Sequence, residues 1–184
     1  MINYKILHEA QEYYEGEGFQ FVETTWTVPH EIMMITYYIE KPDNPFYLKH
    51  KDKTLVASGE QSFLAMYNKG FLPKGKFQTI TPCFRDETFD ETHTKYFMKN
   101  ELIITDIQDS EEQLKQIVEC AQKFFQRFVP EKEDVRIVKC GDLAYDLYYQ
   151  GVEIGSYGYR ECSFLKWIFG TGVAEPRFSR VIGD

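Results

Sequence analysis

Pro82-Cys83-Phe84-Arg85-Asp86-Glu87 closes one run of strand-forming residues, and His93, Phe97 and Glu101 begin the next beyond a polar loop. Residues 76–83 and 96–105 are rich in β-branched and aromatic side chains and read as two strands joined by residues 86–94. Side chains alternate along a strand, so Phe97 and Glu101, four positions apart, share a face. That face carries a ring and a carboxylate beside the Arg85 guanidinium. An arginine fork matches phosphate oxygens in pairs, and a ring offers a purine a flat partner, which makes the hairpin a candidate nucleotide site. The same residues also fit a surface ion pair and a core phenylalanine.

Outward from the hairpin, Leu114, Ile117, Val118, Ala121, Phe124, Phe125 and Phe128 recur at 3.6-residue spacing and predict a helix over 109–129. Asp109 or Ser110 caps it and Pro130 stops it. Residues 135–139, 144–149 and 152–159 read as three strands, the last two turning at Gln150-Gly151. On the N-terminal side, residues 4–17 have helical spacing and 19–28 read as a strand punctuated by Pro29. Residues 30–40 show no clear period, 46–56 read as two short strands around Lys51-Asp52-Lys53, and 60–68 as a helix ended by Gly70. Adjacent hairpins with few helices between them predict an α+β fold, an antiparallel β-sheet flanked by helices. With no repeat, linker or low-complexity segment, residues 1–184 read as a single domain.

The composition excludes several classes of function. Hydrophobic residues make up 43% and charged residues 27%, ordinary globular proportions. No apolar run approaches the roughly 20 residues of a membrane span, and the acidic, amphipathic start is unlike a signal peptide, so a cytoplasmic protein without membrane contact is expected. Cys83, Cys120, Cys140 and Cys162 are widely spaced and lack a zinc-binding pattern, so reduced thiols are expected. A net charge of −8 with no basic block argues against DNA binding and against tight non-specific RNA binding.

Phe84-Arg85-Asp86-Glu87, His93, Phe97 and Glu101 resemble motif 2 of the class II aminoacyl-tRNA synthetases, element by element and in order. The resemblance implies that Arg85 holds the α-phosphate of ATP and the substrate carboxylate. It places Glu87 at the adenine amino group, His93 near the outer phosphates and Phe97 against adenine. Gly170-Thr171-Gly172 followed by Arg177 is similar to motif 3, which implies that Arg177 covers the other face of adenine and reaches the γ-phosphate. Read alone, that glycine pair marks a turn. Pro176 before Arg177 suits the first turn of a helix.

Residues 146–160, with Gly151-Val152-Glu153-Ile154-Gly155 and Arg160, look like aspartyl-tRNA synthetases and asparagine synthetase A. By that likeness Glu153 holds Mg2+ on the ATP, and Arg160 grips an acidic substrate side chain such as that of aspartate. Glu153 and Arg160 also fit ordinary surface charges on a glycine-rich hairpin. Ser58-Gly59-Glu60 resembles the substrate-recognition segment, which implies that Glu60, with Glu101, binds the amino acid. The alternative is a helix start with Ser58 as cap and Glu60 in the first turn.

Residues 18–24 follow motif 1, the segment that supports homodimers in the family, except that Thr25 stands where proline is usual. A chain of 184 residues has room for no anticodon-binding domain, and its last helix is expected to span about two turns. The expectation is therefore an ATP- and Mg2+-dependent ligase that activates an amino acid as its adenylate for an acceptor other than tRNA. Alternatives are a tRNA-charging fragment working with a separate RNA-binding subunit, and an idle ATP or amino-acid sensor.

Overall fold

The computed structural model describes residues 1–36, 46–48, 52–86 and 95–183. The first half holds α1 (Tyr4–Gly16), β1 (Gln20–Phe21), β2 (Thr27–Pro29), α2 (His30–Thr36), β3 (Lys53–Leu55) and α3 (Gly59–Asn68). The hairpin follows as β4 (Lys76–Phe84) and β5 (Tyr96–Ile104), then α4 (Ser110–Phe125). The remainder is β6 (Arg136–Gly141), β7 (Ala144–Tyr149), β8 (Val152–Glu161), β9 (Lys166–Glu175) and α5 (Arg177–Ile182). Seven strands form one sheet in the order β1-β4-β5-β9-β8-β7-β6, and β2 and β3 form a separate ribbon. Only the β1–β4 pair of the sheet is parallel. This is the α+β architecture expected.

Local chemistry sets the helix starts. The Asn3 side chain accepts from the amides of Lys5 and Ile6, and Asp109 accepts from those of Glu111 and Glu112. The apolar stripes of α1 and α4 then bury Leu7, Tyr14, Leu114, Ile117 and Phe124 against Leu102, Tyr157 and Ile168 on one face of the sheet. On the opposite face, Phe63 and Leu64 of α3 pack with Phe77, Ile103 and Trp167. Alternation along β5 therefore sends Leu102 to the first face and Ile103, with Phe97, Lys99 and Glu101, to the second. The second face carries the site.

Three expectations are corrected. Residues 19–28 do not make one strand: β1 pairs with β4, and β2 leaves to pair with β3. Between them Thr24 Oγ1 meets Thr79 Oγ1 at 3.1 Å and Thr25 O accepts from Ser62 Oγ at 2.6 Å, so contacts to β4 and α3 override strand propensity. Residues 166–175, whose glycines suggested a turn, form β9 between β5 and β8, inside the sheet. A Cβ on Gly172 would lie 1.9 Å from Asn100 Oδ1, and one on Gly170 would lie 2.6 Å from the Tyr157 ring. Close packing from neighbouring strands and α1 demands these glycines, not backbone reversal. Pro176 stands just ahead of α5 as its N-cap rather than inside its first turn. Residues 37–40 and 49–51 lie outside the described residues.

Candidate active site

The register brings four of the expected residues to one end of the sheet. Phe84 pairs with Tyr96 and Met98 with Glu175, so Arg85 just past β4, Phe97 in β5 and Arg177 just past β9 share that end. Arg85 Cζ lies 5.1 Å from the centroid of the Phe97 ring, and Arg85 Nε donates to Ala57 O at 3.1 Å. The guanidinium is thus held between the strand end and the start of α3. Arg177 Nη1 lies 3.4 Å from Glu153 Oε1, with both side chains partly open to solvent. Glu87 and His93 lie outside the described residues.

Arg177 is positioned by a residue the sequence did not single out. The fully buried Glu175 accepts from the amide of Ser179 at 3.1 Å and from that of Asn3 at 3.2 Å. It ties the first turn of α5 to the start of α1. Burial pushes its carboxyl above the ordinary range, and the hydrogen bonds from Ser179 and Asn3 pull it back.

Further down the same face lies a cluster of buried charges. Glu60, in the first turn of α3, accepts from Trp167 Nε1 at 2.6 Å and from Arg160 Nη1 at 2.6 Å. Arg160 also stacks 4.1 Å from the centroid of the Phe169 ring. Desolvation raises the Glu60 carboxyl above the usual carboxylate range, the nearby Arg160 lowers it, and Glu101 raises it again. Glu101, with no exposed surface, accepts from Ser58 Oγ and from Lys99 Nζ, the latter at 2.6 Å. Ser58 Oγ also accepts from the Glu60 amide at 3.4 Å, so it is the helix cap and part of the cluster together.

Ser58 therefore caps α3 with Glu60 in its first turn, and both side chains also belong to the charged cluster. The site also places Arg160 against Glu60 rather than leaving its guanidinium without a carboxylate. Lys99 was legible, because the alternation that aligns Phe97 with Glu101 puts Lys99 between them. Trp167 was not, because no strand is read from the sequence over residues 166–175. Gly59 lets α3 approach: a Cβ there would lie 3.0 Å from Glu101 Cβ, Thr79 Cγ2 and Thr81 Oγ1 alike.

Among the described residues no three His, Cys, Asp or Glu side chains converge as a protein-made metal cage, and all four cysteines are free. A single carboxylate such as Glu153 suits Mg2+, which takes most of its oxygens from phosphates and water. Among the described residues no helix is long and apolar enough to cross a membrane.

A mostly antiparallel seven-stranded sheet, with an arginine–aromatic pair at the strand ends and a second arginine opening the last helix, defines a class II synthetase catalytic core. The chain belongs to that family: the model described as tRNA synthetases class II core domain (F) matches residues 2–183. No curated protein matches the sequence. Among solved structures, a pyrrolysyl tRNA synthetase from Desulfitobacterium hafniense superimposes with a TM-score of 0.77 at 15% identity, over 96% of this chain and 65% of that one. Seryl-tRNA synthetase from Pyrococcus horikoshii, complexed with ATP, gives 0.70 at 19% identity, over 94% of this chain and 47% of that one. The cytoplasmic serine-tRNA ligase from Naegleria fowleri, in complex with AMP, gives 0.69 at 15% identity, over 94% and 51%. The chain thus spans from about half to about two thirds of the length of these proteins. At such identities the likeness establishes the fold. The aspartyl resemblance of residues 146–160 rests on the sequence alone.

Proposed function

We propose that this chain binds ATP with Mg2+ and activates an amino acid as its adenylate. The observation that carries the reading is the convergence of Arg85, Phe97, Arg177 and Glu153 at one end of the sheet, in a chain of the class II core family. In this reading the substrate carboxylate attacks the α-phosphorus in line and expels pyrophosphate. Catalysis comes from positioning and charge neutralisation, so no nucleophilic serine or cysteine is needed. Arg85 bridges carboxylate and α-phosphate, Phe97 and Arg177 sandwich adenine, and Glu87 and His93 reach the adenine edge and outer phosphates. Glu153 would hold Mg2+, which would supply charge neutralisation at the phosphates.

Glu60, Glu101 and Arg160 line the amino-acid end. The aspartate expected from sequence would have to displace Glu60 from Arg160, because that guanidinium already has a carboxylate partner at 2.6 Å. The acceptor is proposed to be something other than tRNA, since the net charge of −8 repels a phosphate backbone. A cytoplasmic homodimer built on residues 18–24 completes the reading. Amino-acid-dependent pyrophosphate exchange tests it. Exchange with at least one amino acid, dependent on Mg2+, is the expected result, and its absence across all twenty together with absent ATP binding would falsify it. Filter binding at physiological salt should show no retention of bulk tRNA; sub-micromolar, salt-sensitive retention would favour the tRNA-charging alternative.

A further inference from the structure

We propose that the amino-acid pocket selects a substrate whose side chain carries no net charge, with Lys99 as the specificity-determining residue. The inference rests on the proposed activation reaction and names the class of its substrate. Two anions and two cations meet on this face. Lys99 Nζ lies 2.6 Å from Glu101 Oε2, with side chains 10% and 0% exposed, and Arg160 Nη1 lies 2.6 Å from Glu60 Oε2, with side chains 26% and 4% exposed. The four charges cancel. The main-chain carboxylate and ammonium of an amino acid also cancel, so a charged side chain would add an uncompensated charge beside this balanced cluster, where burial weakens screening. The upward displacement of the Glu60 carboxyl, despite the adjacent Arg160, shows how strongly burial already opposes charge there.

What the pocket leaves open is an acceptor. Both oxygens of Glu60 are engaged, by Trp167 and Arg160, and Glu101 Oε2 is engaged by Ser58 and Lys99. Among the described residues Glu101 Oε1 is buried with no hydrogen-bond partner, and so is Thr81 Oγ1 on the adjacent strand. Buried polar atoms are almost always paired, so an occupant that brings an N–H or O–H donor to Glu101 is favoured there. Lys99 neutralises Glu101 without covering that oxygen. It thereby turns an anionic subsite into a neutral acceptor.

The test is calorimetric titration of the full chain with a panel of amino acids that includes aspartate, glutamate, lysine, asparagine, serine and leucine, with ATP binding measured in parallel. A neutral amino acid should bind best, with aspartate, glutamate and lysine weaker by roughly tenfold or more. In Lys99→Met the Glu101 charge is released, and lysine should gain roughly tenfold relative to the best neutral amino acid. If that variant does not fold, Lys99→Met with Glu101→Gln restores neutrality and should keep the preference for a neutral side chain. Best binding of a charged amino acid by the wild type, binding of none, or a folded Lys99→Met with unchanged preference overturns the inference. Neutral amino-acid binding without ATP binding supports it while sinking the activation reading, so the two fail separately.

Discussion

Arg177 and Glu153, which the proposed reaction assigns to a phosphate and to Mg2+, hold each other at 3.4 Å. In the proposed reaction, binding of the magnesium nucleotide would exchange partners: Arg177 would turn to phosphate and Glu153 would hold the metal. Both side chains are partly exposed, so the pair itself contributes only about 0.2–1 kcal/mol. Glu153→Gln should raise affinity for ATP in the presence of a chelator by up to roughly fivefold, and should abolish the gain that Mg2+ gives the wild type. Calorimetry with and without Mg2+ reads both effects. An unchanged response to Mg2+ would remove Glu153 from the metal site.

Arg85 and Phe97 touch across the β4–β5 hairpin, with Arg85 Cζ 5.1 Å from the ring centroid. Replacing either with alanine should weaken ATP binding by about 1–3 kcal/mol, the range for a charge-assisted hydrogen bond or a stacked base. Circular dichroism should show the fold retained. Wild-type affinity in both variants would end the nucleotide assignment.

Arg160→Leu strands Glu60 as a buried carboxylate whose remaining partner is Trp167. Breaking such a pair should destabilise the protein by about 3 kcal/mol, the low end of the range because Arg160 is partly exposed. The pH dependence has a definite sign. A carboxyl raised above its unfolded value near 4.5 binds its proton more tightly when folded, so its contribution is complete below that value and is lost as pH rises through the folded one. Removing Arg160 takes away a lowering influence and raises the folded value further. The deficit measured by urea unfolding should therefore shrink between pH 7 and about pH 4.5. A deficit independent of pH would show that Arg160 does not stabilise through the Glu60 charge.

Gly172→Ala should destabilise by about 1–3 kcal/mol, because the added methyl overlaps Asn100 Oδ1 and presses on Tyr14. The companion change Asn100→Ala should recover part of the loss, although it gives up the bond from Asn100 Nδ2 to Gln78 Oε1 at 2.9 Å. Thermal unfolding of the single and double variants decides it. A neutral Gly172→Ala would mean that Asn100 and Tyr14 yield without cost and that close packing does not demand the glycine.

The sequence by itself determined the features that neighbours a few residues away decide. The stripe from Leu114 to Phe125, closed by the Asp109 cap, is one; the reversal at Gln150 and Gly151, both with positive φ, is another. So is the β4–β5 hairpin, whose alternation alone aligned Phe97, Lys99 and Glu101. Tertiary structure decided the rest. Whether Gly170 and Gly172 mark a turn or a buried strand depends on Tyr157, Asn100 and Tyr14 from other elements. Whether residues 19–28 are one strand or two depends on which edge each half finds. Arg160 and Glu60 stand 100 positions apart, and their bond arises only where α3 is laid across the sheet. Capping and periodicity act within a turn or two of chain, whereas the pairing of buried charges depends on which groups the fold brings together and on how much water it removes between them.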